Sequence, residues 1–177
     1  GVMLFYGNGI EVNKTEANKY YKMSADKGDV KAMNNYAINL FHGDGIEVNK
    51  AEAIKYFKMS ADKGNVDAMN NYADKLFNGN GIEVNKQEAS KYYKKSADKG
   101  NRSAMFRYAY MSQYGDGIPI NYSEALKYYK MAIDKGCSAS MNNYGVMLFY
   151  GNGIEVNKTE AIKYFKMSAD KGNIAAM

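Results

Sequence analysis

The sequence predicts an all-α fold, a right-handed alpha-alpha superhelix in which antiparallel helix pairs stack with a 36-residue repeat. Three observations predict it. The dipeptides Ala32-Met33, Ala68-Met69, Ala104-Met105, Ser140-Met141 and Ala176-Met177 are each separated by 36 residues, and the single glycines Gly28, Gly64, Gly100, Gly136 and Gly172 keep the same spacing. Gly-x-Gly pairs at 7/9, 43/45, 79/81, 115/117 and 151/153 recur in the same phase. Every period carries two apolar stripes of helical spacing, and no apolar-polar alternation of the kind a half-buried strand needs is found.

Residues 30–65 serve as the reference unit. Ala32, Met33, Tyr36, Ala37 and Leu40 fall on one face at 100° per residue, so residues 30–42 are expected as an amphipathic helix A. Gly43 and Gly45 end it, because glycine enters left-handed backbone conformations without a steric penalty. The chain restarts at Asn49, which with Glu52 forms an Asn variant of the capping box. The amide oxygen is expected to accept a first-turn N–H, and the carboxylate to reach back. Asn13/Glu16, Asn85/Glu88, Asn121/Glu124 and Asn157/Glu160 repeat the pair. Ala53, Tyr56, Phe57, Ser60 and Ala61 then make the stripe of helix B, expected over 50–63 and closed by Gly64. Neither helix can bury its stripe alone, so each must pack on its partner and on the next pair. Small residues at 32, 37, 53 and 61 let the axes approach while Tyr, Phe and Met fill the volume between them.

This reading disposes of the chemistry suggested by the stretch GNGIEVNKTEA, which occupies residues 7–17 and returns at 151–161. A phosphate loop needs a strand before its glycines and Gly-Lys-Ser/Thr after them; here a helix precedes and Ile follows. A calcium loop needs alternating carboxylates and a closing Glu, but the copies of Asp44 include Asn8, Asn80 and Asn152. The loop reads as a turn between helices.

Composition sets the outer bounds. The chain has 177 residues, 46% hydrophobic and 24% charged, which fits a folded protein. No apolar run approaches the roughly 18 residues of a membrane span. Cys137 is the only cysteine, so no internal disulfide framework can form, which leans toward a cytoplasmic compartment without establishing one. His42 is the only histidine, and neither a zinc site nor a Cys–His dyad can be assembled. His42 is expected at a solvated helix end, and Cys137 as a small turn residue. No catalytic residue, cofactor site or metal site is expected. Asn13, Asn101, Asn121 and Asn157 begin Asn-x-Ser/Thr sequons, but three of them are expected helix caps with engaged side chains. Tyrosines such as Tyr20/Tyr21, Tyr92/Tyr93 and Tyr128/Tyr129 lie on or beside the B stripe and are expected in the core.

The pattern Ala-x3-Tyr-Ala-x2-Leu-x2-Gly-x-Gly-Ile-x2-Asn-x3-Ala-x2-Tyr-Phe-x2-Ser-Ala-x2-Gly resembles the Sel-one-like repeat (SLR) family, relatives of the tetratricopeptide repeat with a longer inter-helix loop. The resemblance covers the whole of residues 1–177, read as one repeat array of four complete periods and a partial one. Both ends fall inside a helix A, so the chain is expected to be part of a longer array. Residues 1–28 match 145–172 at all but Asn18/Ile162 and Tyr21/Phe165, the mark of a duplication. Family members generally act as adaptors and scaffolds, and the resemblance implies a protein or peptide partner held in a concave groove lined by helix A. Nucleic acid and membrane insertion are not expected.

The face of helix A opposite the stripe carries Asn34, Asn35, Ile38 and His42, and its copies include Asn70, Asn71, Asp74, Asn142 and Asn143. The unit beginning near Arg102 departs most, with Phe106, Arg107 and Tyr110 on or near this face, and aromatics with Arg dominate binding hot spots. Asn side chains there could clamp a bound backbone through paired amide bonds. Helix B turns Lys55, Lys58 and Asp62 outward, with lysine pairs repeated along the chain, a solubilising face. Two rivals stand beside the scaffold. An RNA reader would use helical repeats of this length, though the lysines map to the outer face. A hydrolase-like binder, related to disulfide-stapled repeat proteins, would need cysteine pairs this chain lacks.

Overall fold

The computed structural model describes residues 1–7 and 11–173; Asn8, Gly9 and Ile10 of the first turn and the last Ala176-Met177 lie outside them. Among the described residues there are ten α-helices and no strand. They are α1 (Val2–Tyr6), α2 (Lys14–Asp26), α3 (Val30–His42), α4 (Lys50–Asp62), α5 (Val66–Asn78), α6 (Lys86–Asp98), α7 (Arg102–Tyr114), α8 (Tyr122–Asp134), α9 (Ser138–Tyr150) and α10 (Lys158–Asp170). The odd-numbered helices are the expected A helices and the even-numbered ones the B helices. Two compact units form, residues 1–85 holding α1 to α5 and residues 86–177 holding α6 to α10.

In the first unit α3 packs on both α2 and α4, and α4 on α5. The predicted stripe is the core: Ala32, Met33, Tyr36, Ala37 and Leu40 are buried with Ala53, Phe57, Ser60 and Ala61. Tyr56 is half-buried, since its hydroxyl leaves the core to donate to Asp26 at 2.9 Å. In the second unit α7 packs on α6 and α8, and α9 on α8 and α10, around Met105, Met111, Tyr128, Tyr129, Met147 and Leu148. Ser60 and Ser168 each reach the start of the A helix of their own pair, donating to Val30 O at 2.6 Å and Ser138 O at 2.7 Å. Tyr20, expected at the stripe, is instead exposed, while Tyr21 beside it is buried.

The caps form with one correction. Asn13, Asn49, Asn121 and Asn157 each accept the backbone N–H of the Glu three residues on. The carboxylates of Glu16, Glu52 and Glu160 do not reach the cap backbone. They accept from the cap side-chain amide, because the backbone N–H of Asn49, like those of Asn13 and Asn157, already donates to an A-helix carbonyl at 2.9 Å. The sequon Asn101 is also a cap, holding Ala104 N at 2.9 Å at the start of α7. Asp29 and Asn65 cap α3 and α5 the same way. At α9 the equivalent residue is Cys137, which makes no side-chain cap bond. Cys137→Asn is therefore expected to stabilise the second unit by about 1 kcal/mol, read as a shift of the urea midpoint.

The Gly-x-Gly turn does more than stop a helix. Gly43 closes α3 in the left-handed region, and Gly45 (φ 72°) brings the turn against the start of the preceding B helix. A Cβ on Gly45 would lie 2.4 Å from Lys14 Cβ; on Gly117 it would lie 2.3 Å from Lys86 Cβ. The residue between the glycines completes the stitch. Asp44 accepts Lys14 Nζ at 2.7 Å, Asn80 accepts Lys50 Nζ at 3.3 Å and Asp116 accepts Lys86 Nζ at 2.6 Å.

Two stability predictions follow from the packing. Ala53 has no exposed surface, so Ala53→Leu is expected to overpack its helix contact and cost about 1–3 kcal/mol. Lys58 is exposed and pairs along its own helix with Asp62 at 2.7 Å, so Lys58→Ala is expected to change stability by no more than ~0.5 kcal/mol. Urea melts that ranked the two in reverse would contradict the assignment of faces.

Lys75 occupies the position held by buried Met111 and Met147 in the second unit. Its Nζ sits 3.8 Å from the centre of the Phe41 ring, and burial holds its pKa below the ordinary lysine value of 10.5. Lys75→Met is expected to add about 1 kcal/mol by removing a half-buried charge and filling the site. The pH dependence carries the sign. Just below 10.5 the unfolded chain binds the Lys75 proton more tightly than the folded one, so wild-type stability gains a contribution as pH rises there. Urea midpoints measured as the pH rises toward 10.5 should show that gain in wild type and lose it in Lys75→Met.

Candidate functional site

The candidate face is the side of each A helix turned away from its stripe. In the first unit most of its amides are already engaged within the chain. Asn34, expected to be open, is buried at 7% exposure, and its Oδ1 accepts Asn71 Nδ2 at 3.0 Å. Asn70 donates to the Asp74 carboxylate at 3.1 Å, and Asn78 donates to Asp74 O at 2.8 Å. Asn35 and the half-exposed Ile38 line a small pocket together with Tyr21. His42 is exposed in the last turn of α3.

The second unit is built differently. Along α7, Phe106, Tyr110 and Tyr114 follow at four-residue spacing, so their rings line up on one face. Ring centres lie 6.2 Å apart for Phe106 and Tyr110, and 4.6 Å for Tyr110 and Tyr114. Tyr110 and Tyr114 are 37% and 50% exposed, an unusual amount of aromatic surface for one helix face. Arg107 is exposed beside them. The floor under the row is Tyr129, whose ring centre is 6.3 Å from that of Phe106.

Tyr129 is held from both sides. Its hydroxyl donates to Gln113 Oε1 at 2.8 Å and accepts from Asn143 Nδ2 at 3.0 Å. Burial pushes its pKa up, so it stays a protonated donor at neutral pH. Asn142 donates to Asn143 Oδ1 at 3.3 Å. Asn142 and Asn143 thus support the floor and are not a ready-made amide clamp. Gln113 and Tyr129 escaped the sequence reading, although Gln113 stands where other copies have Phe41, Phe77 and Phe149.

Beside the row, at the starts of α7 and α9, lies a cleft of about 290 Å³ lined by Arg102, Ser103, Phe106, Arg107 and residues 136–139. No group of three or more metal-ligating side chains occurs among the described residues. No helix of the described residues is long and apolar enough to cross a membrane.

Repeated helix pairs joined by a Gly-x-Gly turn define a class of helical-repeat proteins. Within that class the chain belongs to the Sel1 repeat family, whose repeat matches residues 1–29, 30–65, 66–101, 102–137 and 138–173 in succession. Sel1 repeat proteins are in general protein-interaction scaffolds and typically non-enzymatic. Among solved structures, c5321 of uropathogenic Escherichia coli, described as a protective antigen displaying an SLR fold, is similar with a TM-score of 0.93 and 27% identity. The match covers 99% of this chain and 38% of that one. A Sel1 repeat protein of Oxalobacter formigenes gives 0.91 and 27% identity over 99% of this chain and 72% of its own. The cysteine-rich protein B of Helicobacter pylori shares the fold alone, at a TM-score of 0.59 and 20% identity over 73% of this chain and 92% of its own. No curated protein sequence matches the chain.

Proposed function

We propose that the chain is a non-enzymatic interaction scaffold that takes a peptide or a partner helix along the open face of its A helices, anchored on α7. The observation that carries this reading is the exposed row Phe106–Tyr110–Tyr114 with Arg107 beside it. Large aromatics and Arg supply most binding energy at protein interfaces, and these sit on a floor already ordered by hydrogen bonds to Tyr129. The other A helices offer amides bonded within the chain, which add polar contacts at the margin of such a site. A partner lying there needs no change in the packing stripe, so binding and stability separate by mutation.

The test is selection of a displayed library of random peptides on the immobilised chain, with a Phe106→Ala/Tyr110→Ala variant as the control surface. Peptides enriched on wild type and absent from the variant are the expected result. Equal enrichment on both surfaces would move the site elsewhere.

A further inference from the structure

The middle residue of the Gly-x-Gly turn alternates between Asp and Asn along the chain, and each Asn copy is followed by glycine. Asn80-Gly81 and Asn152-Gly153 lie in described turns, Asn78-Gly79 closes α5, and Asn8-Gly9 lies outside the described residues. An Asn before Gly is chemically labile. With no Cβ on the following residue, its backbone nitrogen can close on the side-chain carbonyl carbon.

The three described pairs differ in what surrounds them. Asn80 and Gly81 are exposed to water, and among the described residues no acceptor holds the Gly81 N–H. Lys50, the first residue of α4, donates its Nζ to Asn80 Oδ1 at 3.3 Å. An ammonium on that oxygen makes Cγ more electrophilic and stabilises the oxyanion that attack on it creates. At Asn78 both reacting groups are tied down: its Nδ2 donates to Asp74 O at 2.8 Å, and the Gly79 N–H donates to Lys75 O. Asn152 is half-buried, and Tyr122 stands against its turn in the place of Lys50.

From this geometry we infer that Asn80 is a self-modifying site, converting to aspartate in the folded chain with Lys50 as the promoting residue. The Gly81 nitrogen attacks Asn80 Cγ and loses its proton. The Cγ–Nδ2 bond breaks and ammonia leaves, which closes a cyclic imide. Water then adds its hydroxyl to Cγ and returns a proton to the nitrogen as that C–N bond opens, leaving a carboxylate. Opening at the Asn80 main-chain carbonyl instead would put an extra carbon into the backbone. The turn already lies close to α4, where a Cβ on Gly81 would stand 3.0 Å from Lys50 Cβ, so its packing favours the aspartate. The product repeats a contact made elsewhere in the array. Asp44 and Asp116 accept Lys14 and Lys86 at 2.7 Å and 2.6 Å, shorter than the 3.3 Å at Asn80, as a charge-assisted bond should be. Conversion therefore tightens the turn of the α5 repeat onto α4.

The test holds the intact folded chain in mildly alkaline buffer and follows each Asn by tryptic digestion and tandem mass spectrometry. Asn80 should convert about 10-fold faster than Asn152, less than the ~10²–10³ of a buried oxyanion hole because this oxygen is open to water. Asn78 should stay intact over the same period. Lys50→Met, with its helical circular dichroism unchanged, should slow Asn80 to the Asn152 rate, and in urea the lead of Asn80 should vanish. An endoprotease that cuts before aspartate and not before isoaspartate should cleave the product. Equal rates at Asn80 and Asn152 in the folded chain would overturn the inference, as would a lead that survives Lys50→Met or urea. A product dominated by isoaspartate would overturn the assigned end state.

Discussion

Gly45→Ala is expected to destabilise the first unit by about 2–4 kcal/mol, the sum of a left-handed conformation that alanine resists and an overpacked contact. The glycine holds φ at 72°, and an added Cβ would lie 2.4 Å from Lys14 Cβ and 2.8 Å from the Lys14 carbonyl carbon. A backbone atom cannot move aside as a side-chain end can, so relief requires the turn to lift from the preceding helix start. That would also pull Asp44 from Lys14 and its carbonyl from Asn18 Nδ2, now at 2.8 Å. Gly64→Ala is the matched comparison. Its φ is 98°, but nothing lies within 4 Å of the added carbon, so only conformational strain of about 1–2 kcal/mol applies. Urea melts should rank Gly45→Ala well below Gly64→Ala. Equal midpoints would mean that the close approach of turn and helix contributes little.

The contrast between these glycines marks what a single repeat can reveal. Helix starts and ends, the stripe and the caps are local, and they recur within each 36 residues. They were legible to within a residue: α3 ends at His42 as expected, and α4 ends at Asp62 with Lys63 as its cap. Contacts between repeats follow no such pattern within one helix. The ties Lys14–Asp44 and Lys86–Asp116 link residues 30 apart, so nothing within one helix announces them. Asn18 illustrates the same limit. In sequence it is one of two differences between duplicated segments, yet its Oδ1 accepts the buried Asn39 amide at 2.7 Å while its own amide holds Asp44 O. Its counterparts elsewhere face no Asn, and they are Ile54, Ser90 and Leu126.

The candidate site was legible in part for the same reason. Phe106, Arg107 and Tyr110 stood out as departures from the copies around them, and departures are visible in one dimension. Asn34, Asn71, Asn142 and Asn143 looked like open polar groups because their partners lie in other helices or in a neighbouring amide. A polar residue opposite a stripe faces solvent only if no neighbouring repeat reaches it.

Phe106→Ala/Tyr110→Ala is expected to weaken partner binding by about 30-fold or more, since one hot-spot aromatic contributes ~2 kcal/mol and each decade of affinity is ~1.4 kcal/mol. Tyr110 is 37% exposed and Phe106 is half-buried above Tyr129, so truncating them removes little from the stripe that holds α7 on α6 and α8. Affinity should therefore fall much further than stability. The outer lysines set the opposing expectation. Lys55 and Lys58 are exposed on α4, and a nucleic-acid reader would bind through such lysines.

The measurement that bears most directly on the interaction face is one titration, by fluorescence anisotropy, of the enriched peptide into three proteins. They are wild type, Phe106→Ala/Tyr110→Ala and Lys55→Ala/Lys58→Ala. Binding on the A-helix face predicts the large loss in the aromatic variant and near wild-type affinity in the lysine variant. Unchanged affinity in the aromatic variant, with loss in the lysine variant, would contradict it and place the site on the B helices.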